Sequence, residues 1–220
     1  MTEHGGTDRA TFFERITTAL RRQGEVPSTP PADDRLVRLV AADADLLQTF
    51  SERARGAGMT VVHSTVAELG ATVTGVLAER GLKQVTVEID DDVLDAEVRT
   101  ALEGRITDSS APGIDMHFDA DAGVSDVAAA IAETGTLVMA ACPRRGRGVF
   151  IAPPHHVAIV RAAWILPDLL DWLRAASAEQ GERSSATVLV TGPSKTADIE
   201  GILVTGVHGP GTVDIVVVTD

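Results

Sequence analysis

Short apolar runs, most of them rich in β-branched residues, recur along the chain with helix-forming segments between them, and this alternation limits the possible folds more than any other feature. The runs fall at residues 59–62, 85–89, 114–118, 137–139, 157–160, 188–190 and 213–218. Helical patterns lie between many of them, at 65–80, 91–102, 124–132 and 166–175, with Gly81 stopping the first. Continuous apolar strands alternating with helices predict a mostly parallel sheet whose two faces are both covered, the layout of a three-layer α/β/α sandwich.

Two helices precede this alternation. Thr7-Asp8 supplies a cap for a helix carrying Phe12, Phe13, Ile16 and Leu20 along one stripe. A Pro-rich break at 27–31 follows, and a second helix is predicted over 33–55, stopped by Gly56-Ala57-Gly58. The expected organisation is therefore a helical N-terminal extension over residues 1–58 and an α/β domain over 59–220.

Charge and cysteine content narrow the partners. Asp and Glu outnumber Lys and Arg by 32 to 19, for a formal net charge of −13. Such a surface repels nucleic-acid phosphates and anionic lipid headgroups. The basic group Arg144, Arg145 and Arg147 is too short for a duplex footprint, but suits a small anion or an acidic partner. Cys142 is the single cysteine, so this chain alone cannot supply the four thiolates of an iron–sulfur cluster. No apolar run reaches the roughly 18 residues of a membrane span, and the polar start of the chain lacks a signal-peptide core, which together predict a cytoplasmic location.

Three loops hold more glycine, hydroxyl and charge than a connection requires. Glu133-Thr134-Gly135-Thr136 lies between the predicted helix at 124–132 and the run at 137–139, and reads either as a helix stop or as a polar cluster. Thr191-Gly192-Pro193-Ser194-Lys195-Thr196-Ala197-Asp198 follows an apolar run and is expected to open a helix. Its backbone N–H groups, its hydroxyls and Lys195 then suit an anion, with Asp198 as cap, although capping alone would explain the pattern equally well. Gly206-Val207-His208-Gly209-Pro210-Gly211 surrounds an imidazole with glycines, and His208 is either structural or a ligand-facing acid or base. In open α/β sheets such loops are expected beyond the carboxyl ends of the strands. Strand alternation also sends His155 and His156 to opposite faces, which disfavours a metal shared between them, and no metal site is predicted.

Taken together, Ala132-Glu133-Thr134-Gly135-Thr136-Leu137-Val138, the stretch from Pro153-Pro154-His155-His156 to Val160, Gly192-Pro193-Ser194-Lys195-Thr196-Ala197-Asp198-Ile199-Glu200 and Gly206-Val207-His208-Gly209-Pro210 resemble the LUD, or lactate-utilization, family in the branch of its small C-type members. The resemblance covers roughly residues 123–218. It implies a fold similar to the sugar-phosphate isomerase and CoA-transferase superfamily. It also implies a role beside A- and B-type iron–sulfur subunits in oxidising L-lactate to pyruvate, with no cofactor in this chain and the clusters on its partners. By analogy with that superfamily, Glu133 is the candidate nucleophile or base and His208 a candidate acid or base. Thr134, Gly135, Thr136, Gly192, Ser194, Lys195, Thr196, Asp198 and Gly209 would hold a small anionic ligand. The same likeness leaves two other roles open, a stand-alone isomerase or acyl/CoA transferase, and a non-catalytic scaffold or regulatory subunit. All of the loop roles require Glu133, Ser194 and His208 to meet at one pocket.

Overall fold

The computed structural model describes residues 8–20, 38–107, 115–178, 184–197 and 201–219. The chain divides into two compact units, Met1–Val37 and Arg38–Asp220. In the first, helix α1 (Arg9–Leu20) carries the expected stripe of Phe12, Phe13, Ile16 and Leu20, all exposed. Asp8 caps it, accepting from the N–H groups of Ala10 at 2.8 Å and Thr11 at 3.2 Å. The proline-rich break lies outside the described residues.

In the second unit α2 (Leu46–Gly56) is shorter than the helix predicted over 33–55. Residues 33–37 lie outside the described residues, and 38–45 are not helical. The start is fixed by Asp45, whose carboxylate accepts from Gln48 N at 3.0 Å. Phe50 and Ala54 of α2 are fully buried in the same apolar cluster as residues of the sheets.

The strands β1 (Thr60–Ser64), β2 (Val85–Glu88), β3 (Ala122–Asp126), β6 (His155–Arg161) and β11 (Thr212–Val218) form one fully parallel sheet in the order β1-β11-β6-β3-β2. Alternation along the strands divides the core in two. Val157 and Ile159 of β6 face α3 (Leu69–Glu79) and α4 (Asp92–Ala101), where Leu69, Val73, Leu77, Leu94 and Val98 cover them. Ala158 and Val160 face the other way, toward α2, α6 (Gly148–Ile151) and a smaller sheet. The molecule is thus an α/β fold with a mostly parallel central sheet flanked by helices. No helix among the described residues is long and apolar enough to cross a membrane.

The smaller sheet corrects two expectations. The segment at 124–132, predicted as an alanine-rich helix, forms β3 and then β4 (Ala129–Ile131). Alanine's helical preference is worth only fractions of a kcal/mol per residue, and here packing overrides it. Ala122, Val124 and Ala130 are fully buried, and a Cβ on Gly123 would lie 1.7 Å from the carbonyl oxygen of Val149 in α6. Only a residue without a side chain at position 123 allows that approach. The second correction concerns 114–118, predicted as a strand: Asp115–Phe118 is the short helix α5, and Ile114 lies outside the described residues. β4 pairs antiparallel with β5 (Thr136–Ala140) and parallel with β7 (Ile165–Leu166), and β5 pairs antiparallel with β8 (Thr187–Val190). Helix α7 (Leu169–Ala178) follows β7.

Candidate functional site

The loop after β8 opens no helix among the described residues. Gly192 turns the chain at φ +93°, and Lys195–Thr196 forms β9, paired antiparallel with β10 (Val204–Thr205). The expected helix N-terminus, with its dipole and row of free N–H groups, is therefore not the anion-binding device here. A β-ribbon uses the backbone groups of Lys195–Thr196 for pairing. Asp198, expected to cap that helix, lies outside the described residues.

The two motif loops nevertheless come together. Ser194 N donates to Pro210 O and Gly206 N to Ser194 O, both at 2.9 Å, while His208 N donates to Ser194 Oγ at 3.3 Å. Gly211 N donates to Pro154 O at 2.9 Å, tying the second loop to the start of β6. Between the loops lies a cavity of about 290 Å³ lined by His156, Thr191, Gly192, Ser194, Lys195 and His208 among others. It stands before the amino ends of β6 and β11, opposite to the expected position beyond the carboxyl ends. The family-like motifs are attached to the segments that enter the parallel strands, not to those that leave them.

Glu133 is elsewhere. Residues 132–135 form the turn of the β4–β5 hairpin, and Glu133 lines a separate cavity of about 380 Å³ with Thr134, Thr49 and Arg53. The requirement that Glu133, Ser194 and His208 share a pocket is therefore met by Ser194 and His208 only. The helix stop expected at this loop is a hairpin turn, with Gly135 at φ +66°. What links the turn to the first cavity is a line of hydroxyls. Thr134 Oγ1 lies 2.6 Å from Thr136 Oγ1, which lies 2.7 Å from Thr191 Oγ1. Antiparallel pairing of β5 with β8, Leu137 opposite Val190, brings Thr136 beside Thr191.

The arginines proposed as an anion receiver are largely used within the chain. Arg144 Nη1 binds Asp92 at 2.6 Å, and buried Arg145 pairs with Asp126 and donates to Ala140 O. Arg147 lines a third cavity of about 510 Å³ beside Phe118, Ile151 and Val207, with His208 shared between this cavity and the first. At the carboxyl end of the parallel sheet, Asp126, Arg145, Cys142, Trp164 and Trp172 line a cavity of about 450 Å³. Among the described residues no group of three or more His, Cys, Asp or Glu side chains is placed to hold a metal ion.

Sequence reasoning missed His156 as part of the site. As expected from alternation, the two histidines of β6 face opposite ways. His155 Nε2 meets Asp214 Oδ2 at 2.7 Å, and His156 Nε2 meets Ser125 Oγ at 3.0 Å. Burial raises the cost of charging Asp214, yet its bonds to His155, Thr60 and Arg80 outweigh this and hold its pKa below the ordinary value. His156 is fully buried, and burial, helped by repulsion from His155, pushes its pKa down to about 3. Below pH 6.5 the unfolded chain takes up a proton at this residue that the folded chain refuses. The stabilisation is thus complete above pH 6.5 and fades as pH falls toward 3, at about 1.4 kcal/mol per pH unit. Thermal melts from pH 7 to 4 are expected to show a shallower loss for His156→Phe than for the parent. Parallel curves for the two proteins would contradict the assignment.

A fold of this kind, with its paired motif loops, defines an α/β protein with a small polar cavity at the sheet's amino end. The model of the LUD domain family matches residues 39–218, and the chain belongs to that family. It is 31% identical to lactate utilization protein C of an Exiguobacterium species over 97% of both chains, and 29% identical to lactate utilization protein C of Macrococcus caseolyticus over 97% of this chain and 96% of that one. The crystal structure of a DUF162 family protein from Deinococcus radiodurans shares the fold, with a TM-score of 0.61 at 22% identity over 82% of this chain and 100% of that one.

Proposed function

We propose that this chain is the cluster-free, C-type subunit of a cytoplasmic assembly that oxidises L-lactate to pyruvate, and that the cavity between the two motif loops holds its small anionic ligand. The observation that carries this reading is the convergence of Ser194, Lys195 and His208 on one cavity, in a chain whose long relatives are named for lactate utilization. Lys195 has no carboxylate partner among the described residues and stands on the exposed rim. It offers a cation for a carboxylate, and the Ser194 hydroxyl offers a second donor. Lactate oxidation releases two electrons and two protons. With one cysteine in this chain, the electrons would have to leave it, and iron–sulfur clusters on A- and B-type partner subunits would supply the acceptor. His208, at the cavity wall, is the acid or base of this reading. Glu133 has no part in it, since it lines another cavity.

Calorimetric titration of the full chain with L-lactate and with pyruvate tests the reading. Saturable binding of at least one acid is expected, weakened about tenfold or more by Lys195→Ala, as for loss of a charge-assisted hydrogen bond. Co-purification with cysteine-rich partners from the native host is expected as well. Failure of both acids to bind, together with no such partners, would overturn it.

A further inference from the structure

We infer that the cavity beside Arg147 binds a second kind of anion, a carboxylate with an apolar tail, its head on the guanidinium and its tail against Phe118, Ile151 and Val207. This goes beyond the lactate reading and does not rest on it. The cavity is the larger neighbour of the one between the motif loops, and His208 lines both.

Phe118, Ile151 and Val207 line this cavity and are 63%, 40% and 44% exposed. Each is held there by anchored neighbours. In α5 it is His117 that takes the inward place, buried, with Nδ1 3.1 Å from Thr86 Oγ1 and Nε2 3.3 Å from Glu88 Oε1. In α6 Val149 and Phe150 are buried, and Ile151 is left over. Val207 sits between Gly206 and His208, whose backbone N–H groups both bond to Ser194. Three apolar side chains from three separate segments thus stand ready around one hollow of about 510 Å³. Grouped exposed apolar side chains mark binding surfaces, and a hollow of this size with a few polar groups in its wall suits a small molecule.

Charge selects the ligand's head. Asp and Glu outnumber Lys and Arg by 32 to 19 in this chain, yet neither type lines this cavity among the described residues. Arg147 does line it, exposed and without a carboxylate partner among the described residues, whereas Arg144 and Arg145 are both paired. A guanidinium presents a fork of donors that matches the two oxygens of a carboxylate. It is the one permanent cation among the described lining residues, so a singly charged head balances it. A neutral ligand would leave that cation unmet. A small acid without a tail would leave the apolar wall in water and gain nothing from it.

Titration calorimetry of the full chain with butyrate, hexanoate and octanoate, and with hexan-1-ol as the uncharged match, tests this. Affinity is expected to rise about tenfold or more from butyrate to octanoate, since each methylene contributes about fourfold where burial is complete and less on an open wall. Hexanoate is expected to bind about tenfold more tightly than hexan-1-ol, as for a charge-assisted hydrogen bond. Arg147→Ala should remove that advantage, and Val207→Ser should weaken octanoate more than butyrate. A flat chain-length series in the parent, hexanoate binding that Arg147→Ala leaves unchanged, or octanoate binding that Val207→Ser leaves unchanged would each overturn the inference. None of these outcomes depends on whether L-lactate binds between the motif loops.

Discussion

Arg145→Met is expected to cost the fold about 3–5 kcal/mol, enough to lower the melting temperature on the order of 10 °C in a chain of this length. Arg145 and Asp126 are 4% and 1% exposed, and they pair directly. Asp126 also accepts from the backbone N–H groups of Asp90 and Asp91, each at 3.1 Å, which holds the turn after β2 against the end of β3. Arg145 donates to the Ala140 carbonyl at the end of β5. Removing the guanidinium leaves an almost fully buried carboxylate without its counter-ion, and that cost exceeds the worth of the lost contact itself. Asp126→Asn in the same chain should recover part of the loss by removing the stranded charge. Urea denaturation of the three proteins decides it. A loss under about 1 kcal/mol for the arginine variant would show that the pair is not held in a dry environment.

Gly135→Val is the second large effect, expected at about 3 kcal/mol or more. The residue sits at φ +66°, a conformation costing a side-chain-bearing residue about 1–2 kcal/mol. A Cβ there would also lie 2.3 Å from Ala54 N and 2.6 Å from Arg53 C, backbone atoms of α2 that cannot turn aside. Overpacking of this kind adds about 1–3 kcal/mol. Since the collision begins at Cβ, Gly135→Ala should show most of the loss. Both variants are read by urea midpoint. A wild-type midpoint for either would mean that α2 does not rest on the β4–β5 turn. The glycine in the Glu-Thr-Gly-Thr motif is therefore explained by close packing of a helix on a hairpin.

How much of this was legible in the sequence depended on whether the signal was local. The strands around Val87, Ile159 and Val216 were, because β-branched runs bounded by turn residues have few other uses. Residues 124–132 were not, since what makes Ala129 and Ala130 strand residues is the closeness of α6 to Gly123 and the pairing with β5, neither of which is written nearby. The pairing of the Ser194 and His208 loops was anticipated through the family resemblance, although the device that joins them is a ribbon and not a helix end. Glu133 was grouped with them by superfamily analogy, whereas the hairpin turn that carries it lines another cavity. His156 escaped notice because a single imidazole in an apolar strand carries no pattern, and its partner Ser125 is 31 residues away.

The doubly buried strand β6 has a consequence for how the sheet aligns itself. Sliding it by one position would exchange Val157 and Ile159 with Ala158 and Val160 between the two apolar clusters. One imidazole would take the other's place, but either Asp214 or Ser125 would then face an apolar side chain instead of a histidine. The central strand carries its own check on correct assembly, and the cavity cannot be built from a sheet that has failed it.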